Sequence, residues 1–150
     1  MRSLFLSLCA LVALGGGIRA QDAHYPIIEL RIARTTPTPG YAARRLADST
    51  FYVSDTMLVS DSLIEDADTS SWQGGLIVHI RLKPEAASRV AAATKNHVRD
   101  RMAIFLAGEF TAAVIIVDPI QGQGLQLELG PAGRSGRLAA AISARWPRHR

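Results

Sequence analysis

Leu76-Ile77-Val78-His79-Ile80-Arg81-Leu82-Lys83-Pro84-Glu85-Ala86-Ala87 holds a strand and the start of a helix in one short passage. Leu76, Val78, Ile80 and Leu82 alternate with Ile77, His79 and Arg81, and residues two apart on a strand share a face. Pro84 suits the first turn of a helix, where its missing N–H costs nothing, and Glu85 complements the positive helix end. Beyond it Ala87, Val90, Ala91, Thr94, Val98 and Met102 fall on one helical face, with Arg89, Lys95, Arg99 and Asp100 elsewhere. The passage predicts a half-buried strand followed by an amphipathic helix.

Towards the C-terminus, Ala103 to Leu106 reads as a strand, and Ala107-Gly108-Glu109 as a turn into a second strand from Phe110 to Val117. Asp118 and Pro119 end that strand, and Gln121 to Gly124 form a loop. Leu125 to Leu129 alternates again. A last helix runs from about Ser135 to Trp146, with Leu138, Ala139, Ile142 and Trp146 on one face. Towards the N-terminus, Ile28 to Ile32 alternates as a strand, Thr35 to Gly40 with Pro37 and Pro39 is a loop, and Phe51-Tyr52-Val53 is a short strand. Ser60-Asp61-Ser62 reads as a helix start, because Leu63, Ile64 and Ala67 follow at helical spacing. Ser70 to Gly75 reads as a flexible stretch with Trp72 on the surface. This order predicts an α+β fold, a small mostly antiparallel sheet with two main helices packed on one face. There is no internal repeat and no sign of a second domain.

The 150 residues, 48% of them apolar, suffice for one globular domain with its own core. Residues 1–20 read as a signal peptide: Arg2, an apolar run from Leu4 to Leu14, three glycines, and cleavage after Ala20. Retention at the membrane by an uncleaved leader is the alternative. Cys9, the only cysteine, lies in this leader, so the mature chain has neither disulfides nor thiol chemistry. The formal charge of +4 falls to +2 once Arg2 and Arg19 are removed, a weak lever for nucleic acid. The distribution is lopsided: residues 21–75 carry 4 basic and 8 acidic side chains, and residues 76–150 carry 11 and 5. A basic C-terminal half favours an acidic partner or an anionic membrane surface. Aromatic residues make up 6% of the chain, too sparse for a base-stacking surface. No apolar run in the mature chain approaches the 20 or so residues a membrane span needs.

Several of these passages, taken in order, resemble one family. Val78 to Ala87 resembles the strand and Pro-Glu-Ala helix start of the periplasmic head subdomain of the protein-export factor SecD. Thr94-Lys95-Asn96-His97-Val98 is similar to its Thr-x-Asn helix centre, and Arg101 to Phe110 to its strand–turn–strand, with Ala107 where an aspartate is usual. Ala113-Val114-Ile115 and Asp118-Pro119-Ile120 resemble the elements that follow, without the usual proline at the first. Leu58 to Ala67 is similar to the segment before the central strand. Gly130-Pro131 departs from the family's closing pattern. The likeness covers roughly residues 50–142. It divides the chain into the leader, an N-terminal strand and Pro-rich loop at 21–49, a head-like domain at 50–146 and a basic tail at 147–150. SecD's membrane domain has no counterpart here.

A search for catalytic patterns returns none. His24, His79, His97 and His149 show no metal-ligand spacing. Asp61, Glu65, Asp66 and Asp68 lack the alternating oxygens and central glycine of a calcium loop, and read as a helix cap and a solvated face. Gly133-Arg134-Ser135-Gly136 has its second glycine too early for a nucleophile elbow, and Gly122-x-Gly124 lacks the third glycine of a nucleotide loop. No cofactor and no metal are implied. The leader points to export and the missing motifs to a non-enzymatic module, and the resemblance implies one that contacts unfolded polypeptide or an envelope protein complex. An exposed edge or an apolar groove is the physical mode for it. Candidate contact residues are Gly108 and Glu109 at the hairpin tip, Gln121, Gly122 and Gly124 in the loop, and Trp72. The alternative is an envelope enzyme or ligand-binding protein reusing the fold, which a pocket gathering His79, Arg81 and an acidic residue would favour.

Overall fold

Ile28, Leu30 and Ile32 are almost wholly buried on one face of the first strand, β1 (Ile28–Arg34). That pattern belongs to a strand covered on both sides, and β1 is the middle of a sheet. The computed structural model describes residues 25–129 and 135–147. The leader with Cys9 and its cleavage after Ala20, His24, Gly130-Pro131, Gly133-Arg134, the end of the basic tail and His149 lie outside the described residues. After β1 come β2 (Tyr41–Leu46), β3 (Ser49–Val59), β4 (Ile64–Trp72), β5 (Gly75–Leu82), α1 (Pro84–Lys95), β6 (Arg101–Leu106), β7 (Glu109–Ile115), β8 (Gly124–Leu129) and α2 (Ser135–Arg145).

The α+β class and the antiparallel pairing are as the sequence predicts, but the strands are divided between two sheets. One has the order β2-β3-β1-β6-β7 and the other β4-β5-β8. Each pairing is antiparallel. Leu76, Val78, Ile80 and Leu82 of β5 point into the main core, as their alternation requires. There they meet Ile28, Leu30, Ile32, Met102 and Ile104 from the larger sheet, Ala86, Ala87 and Val90 from α1, and Ile142 and Trp146 from the C-terminal helix. Burial of such side chains contributes about 1.5–3 kcal/mol each, which makes this cluster the main source of stability. Among the described residues no helix is long and apolar enough to cross a membrane.

Four local expectations are corrected. Ser60 does not open an α-helix. Asp61–Leu63 form a single 3-10 turn, and β4 begins at Ile64. The register slips between Ile64 and Asp66, a bulge at Glu65 that sends both Ile64 and Ala67 into the core. Their spacing of three therefore mimics a helix. Ser70 to Gly75 is not a flexible stretch: β4 runs to Trp72 and β5 starts at Gly75, leaving Gln73-Gly74 as a two-residue turn. The first helix stops at Lys95, with Asn96 as its cap, so Met102 is buried from β6 instead. The Thr94-x-Asn96 passage thus lies at the helix end rather than its centre. Finally, β7 ends at Ile115 instead of Val117, because Ile116 turns inward and bonds the 97–100 loop.

Candidate functional site

The five-stranded sheet curls until its outermost strands, β2 and β7, come into contact. Its convex face supplies the main core. Its concave face carries every second residue: Leu46, Phe51, Val53, Ala33, Ala103, Phe105, Phe110 and Ala113, which form a second small core. Phe110 stacks on Phe105 at 5.1 Å and meets Phe51 edge-on at 5.8 Å, so rings from β3, β6 and β7 hold the curl.

At one end of this hollow the packing opens into a groove of about 540 Å³. Met57, Phe105, Phe110 and Val53 give it an apolar floor, Arg44 and Asp55 stand at its sides, and Tyr25 and Gly108 close one end. Largely buried Glu29 is ion-paired with Arg31, and both line the groove. The register between β1 and β3 is irregular on both sides of Arg31. The guanidinium donates to the carbonyls of Ser54 (3.1 Å) and Asp55 (2.7 Å) beside this irregularity. Burying an unpaired carboxylate is expensive, so Arg31 holds both Glu29 and the wall of the groove.

The hairpin tip was the best-placed of the sequence candidates. Ala107 and Gly108 both have positive φ, 50° and 81°, as the two-residue type I′ turn demands. A Cβ on Gly108 would stand 2.8 Å from Cγ of Tyr25, so the ring lies directly over the glycine. Glu109 begins β7, and its carbonyl accepts from the Thr111 hydroxyl. Gln121, Gly122 and Gly124 lie elsewhere, at the start of β8, where Arg81 pairs with Gly124. Trp72 pairs with Gly75 at the opposite end of that sheet. The structure therefore brings Gly108 to the groove and leaves Gln121, Gly122, Gly124 and Trp72 apart from it. Sequence reading missed Met57, Arg31 and Tyr25. Their shared face follows only from the pairing of β1, β3 and β6, although Glu29 and Arg31 on one side of a strand hinted at a second, more polar face.

The acidic cluster and the His79–Arg81 pair singled out in the sequence serve the fold. Asp61 accepts from the amides of Ile27 (3.1 Å) and Ile28 (3.0 Å), fixing the start of β1 rather than a helix. Arg81 pairs with Glu65 and Asp66 on an exposed sheet face, and His79 meets the Ser70 hydroxyl at 3.0 Å beside them. That face is exposed to solvent. Among the described residues no group of three His, Cys, Asp or Glu side chains could hold a metal ion.

Comparison with known proteins gives one family and a shared fold. Residues 39–143 match the model of the SecDF P1 head subdomain. A SecDF structure, described as a membrane component that enhances protein export, superposes with a TM-score of 0.58 at 18% identity. The match covers 82% of this chain and 64% of that one. SecDF in a Super-membrane-facing form superposes with a TM-score of 0.57 at 18% identity, over 78% of this chain and 18% of that one. The chain thus spans less than two thirds of the solved SecDF chains it matches. No curated protein sequence matches it.

Proposed function

The chain belongs to the SecDF P1 head-subdomain family, and from that premise we propose that it is a non-catalytic module of protein export. In this reading it acts in the cell envelope, periplasmic or secreted, and holds extended, unfolded polypeptide. The observation that carries the reading is the groove on the concave sheet face. Its size suits one or two apolar side chains of an extended segment, and Met57 supplies an adaptable surface that many side chains can pack against. Main-chain addition at the edges of this sheet is disfavoured, because β2 and β7 face each other. The groove is also large enough for a small ligand. Its buried ionisable pair, however, is committed to structure: Glu29 to Arg31, and Arg31 to two carbonyls as well. This favours binding over acid–base chemistry.

The test is binding of a permanently unfolded polypeptide against its folded counterpart. Preference for the unfolded chain is expected, and Met57→Lys weakens it about tenfold or more while the thermal melt is kept, since a charge at the floor excludes apolar side chains. Equal binding of folded and unfolded forms sinks the reading.

A further inference from the structure

A second surface lies at the far end of the larger sheet, where the basic residues concentrate. Arg34, Arg99 and Arg101 surround a small cleft of about 130 Å³, with Thr35 and Thr36 on its wall. Asp100 is the acidic residue of the cleft, and it is already occupied: Arg34 Nε donates to it at 3.1 Å and His97 Nδ1 lies 2.7 Å away. The local balance stays positive. Arg99 is held at φ +78°, a conformation that non-glycine residues adopt at a cost of about 1–3 kcal/mol.

The cleft borders an exposed aliphatic patch. Ile115 lines the cleft and is 53% exposed, and Val117 and Val98 at the same end are 75% and 41% exposed. These residues come from two segments stitched together, since the Arg99 amide donates to Ile116 O at 2.8 Å and the Ile116 amide to Asp100 O at 3.0 Å. Three aliphatic side chains and three guanidinium groups therefore share one end of the molecule. Protein partners are usually anchored by aromatic residues seated in pockets, and this patch has neither. A bilayer offers an apolar boundary for the aliphatic side chains and phosphates for Arg99, while Arg34 already bonds Asp100 and Arg101 lies over the Phe51 ring.

We propose that this surface docks on membranes containing anionic phospholipid, with the cleft taking a lipid phosphate and the aliphatic residues entering the boundary of the acyl chains. It acts independently of the polypeptide groove, on the other end of the sheet. The experiment is sedimentation of the full chain with phosphatidylglycerol–phosphatidylcholine vesicles and with phosphatidylcholine vesicles. Binding to the anionic vesicles is expected to be about tenfold tighter or more at low salt, and to fall as salt rises. Arg99→Gly relieves the strained backbone, so the fold is kept, yet it should weaken anionic binding about fivefold. The double change Ile115→Ser and Val117→Ser weakens it too, whereas Met57→Lys leaves it intact. Equal binding to both vesicles, or no loss with Arg99→Gly, overturns the proposal. So does displacement by millimolar inorganic phosphate, which marks a free-anion site, or by polyglutamate, which marks an acidic protein partner.

Discussion

Thr94 carries more of the architecture than its size suggests. It is fully buried at the end of α1, donates its hydroxyl hydrogen to Val90 O at 2.7 Å and accepts from the Ile120 amide at 2.9 Å. That second bond anchors the whole connection between β7 and β8 to the helix. Thr94→Val keeps the volume but leaves the Ile120 amide without its partner, and should cost about 1–3 kcal/mol in chemical denaturation, with Thr94→Ser closer to the parent. Ala107 is the opposite case, a residue that the turn tolerates without favouring. Its φ of 50° suits asparagine or glycine, so Ala107→Asn should raise stability by about 0.5–1 kcal/mol, measured by the same denaturation. Gly108 leaves no such latitude, because both its φ and the Tyr25 ring above it demand glycine.

At the scale of elements, the strand and helix around Leu76–Ala87 were legible because one period ran unbroken through each. Leu76, Val78, Ile80 and Leu82 alternate, and Pro84 marks the helix start. Legibility failed where a bulge or a turn altered the period. The bulge at Glu65 turned the alternation of β4 into a helical spacing, and the positive φ of Arg99 broke a pattern that Met102 seemed to prolong. Strand β2, which the sequence reading left unassigned, has apolar Ala42 beside Arg44 and Arg45, and becomes a strand through its pairing with β3. The hairpins at Ala47-Asp48 and Gln73-Gly74 lack the Asn-Gly or Asp-Gly pair that announces such turns. The groove was invisible for a related reason. Its floor joins Met57, Phe105 and Phe110 from three strands, and only the tertiary register puts them on one face.

For the whole molecule, the decisive fact is that two sheets and both helices share one core. Ile142 of α2 sits in the same cluster as Ile28 of the larger sheet and Val78 of the smaller. The chain should therefore unfold in one transition, with far-ultraviolet dichroism and tryptophan fluorescence coinciding. Ile142→Ala should shift both probes together, lowering stability by about 2–5 kcal/mol. Separate transitions would show that the sheets fold as independent units. The curl of the larger sheet has a further consequence for its encounters with unstructured chains. An open sheet with bare margins can recruit such chains as new strands, and copies of itself as well, and so seed ordered aggregates. Here the margins β2 and β7 turn towards each other, and Arg44 and Arg45 charge one of them. The curl thus limits the template that this sheet offers for polymerisation.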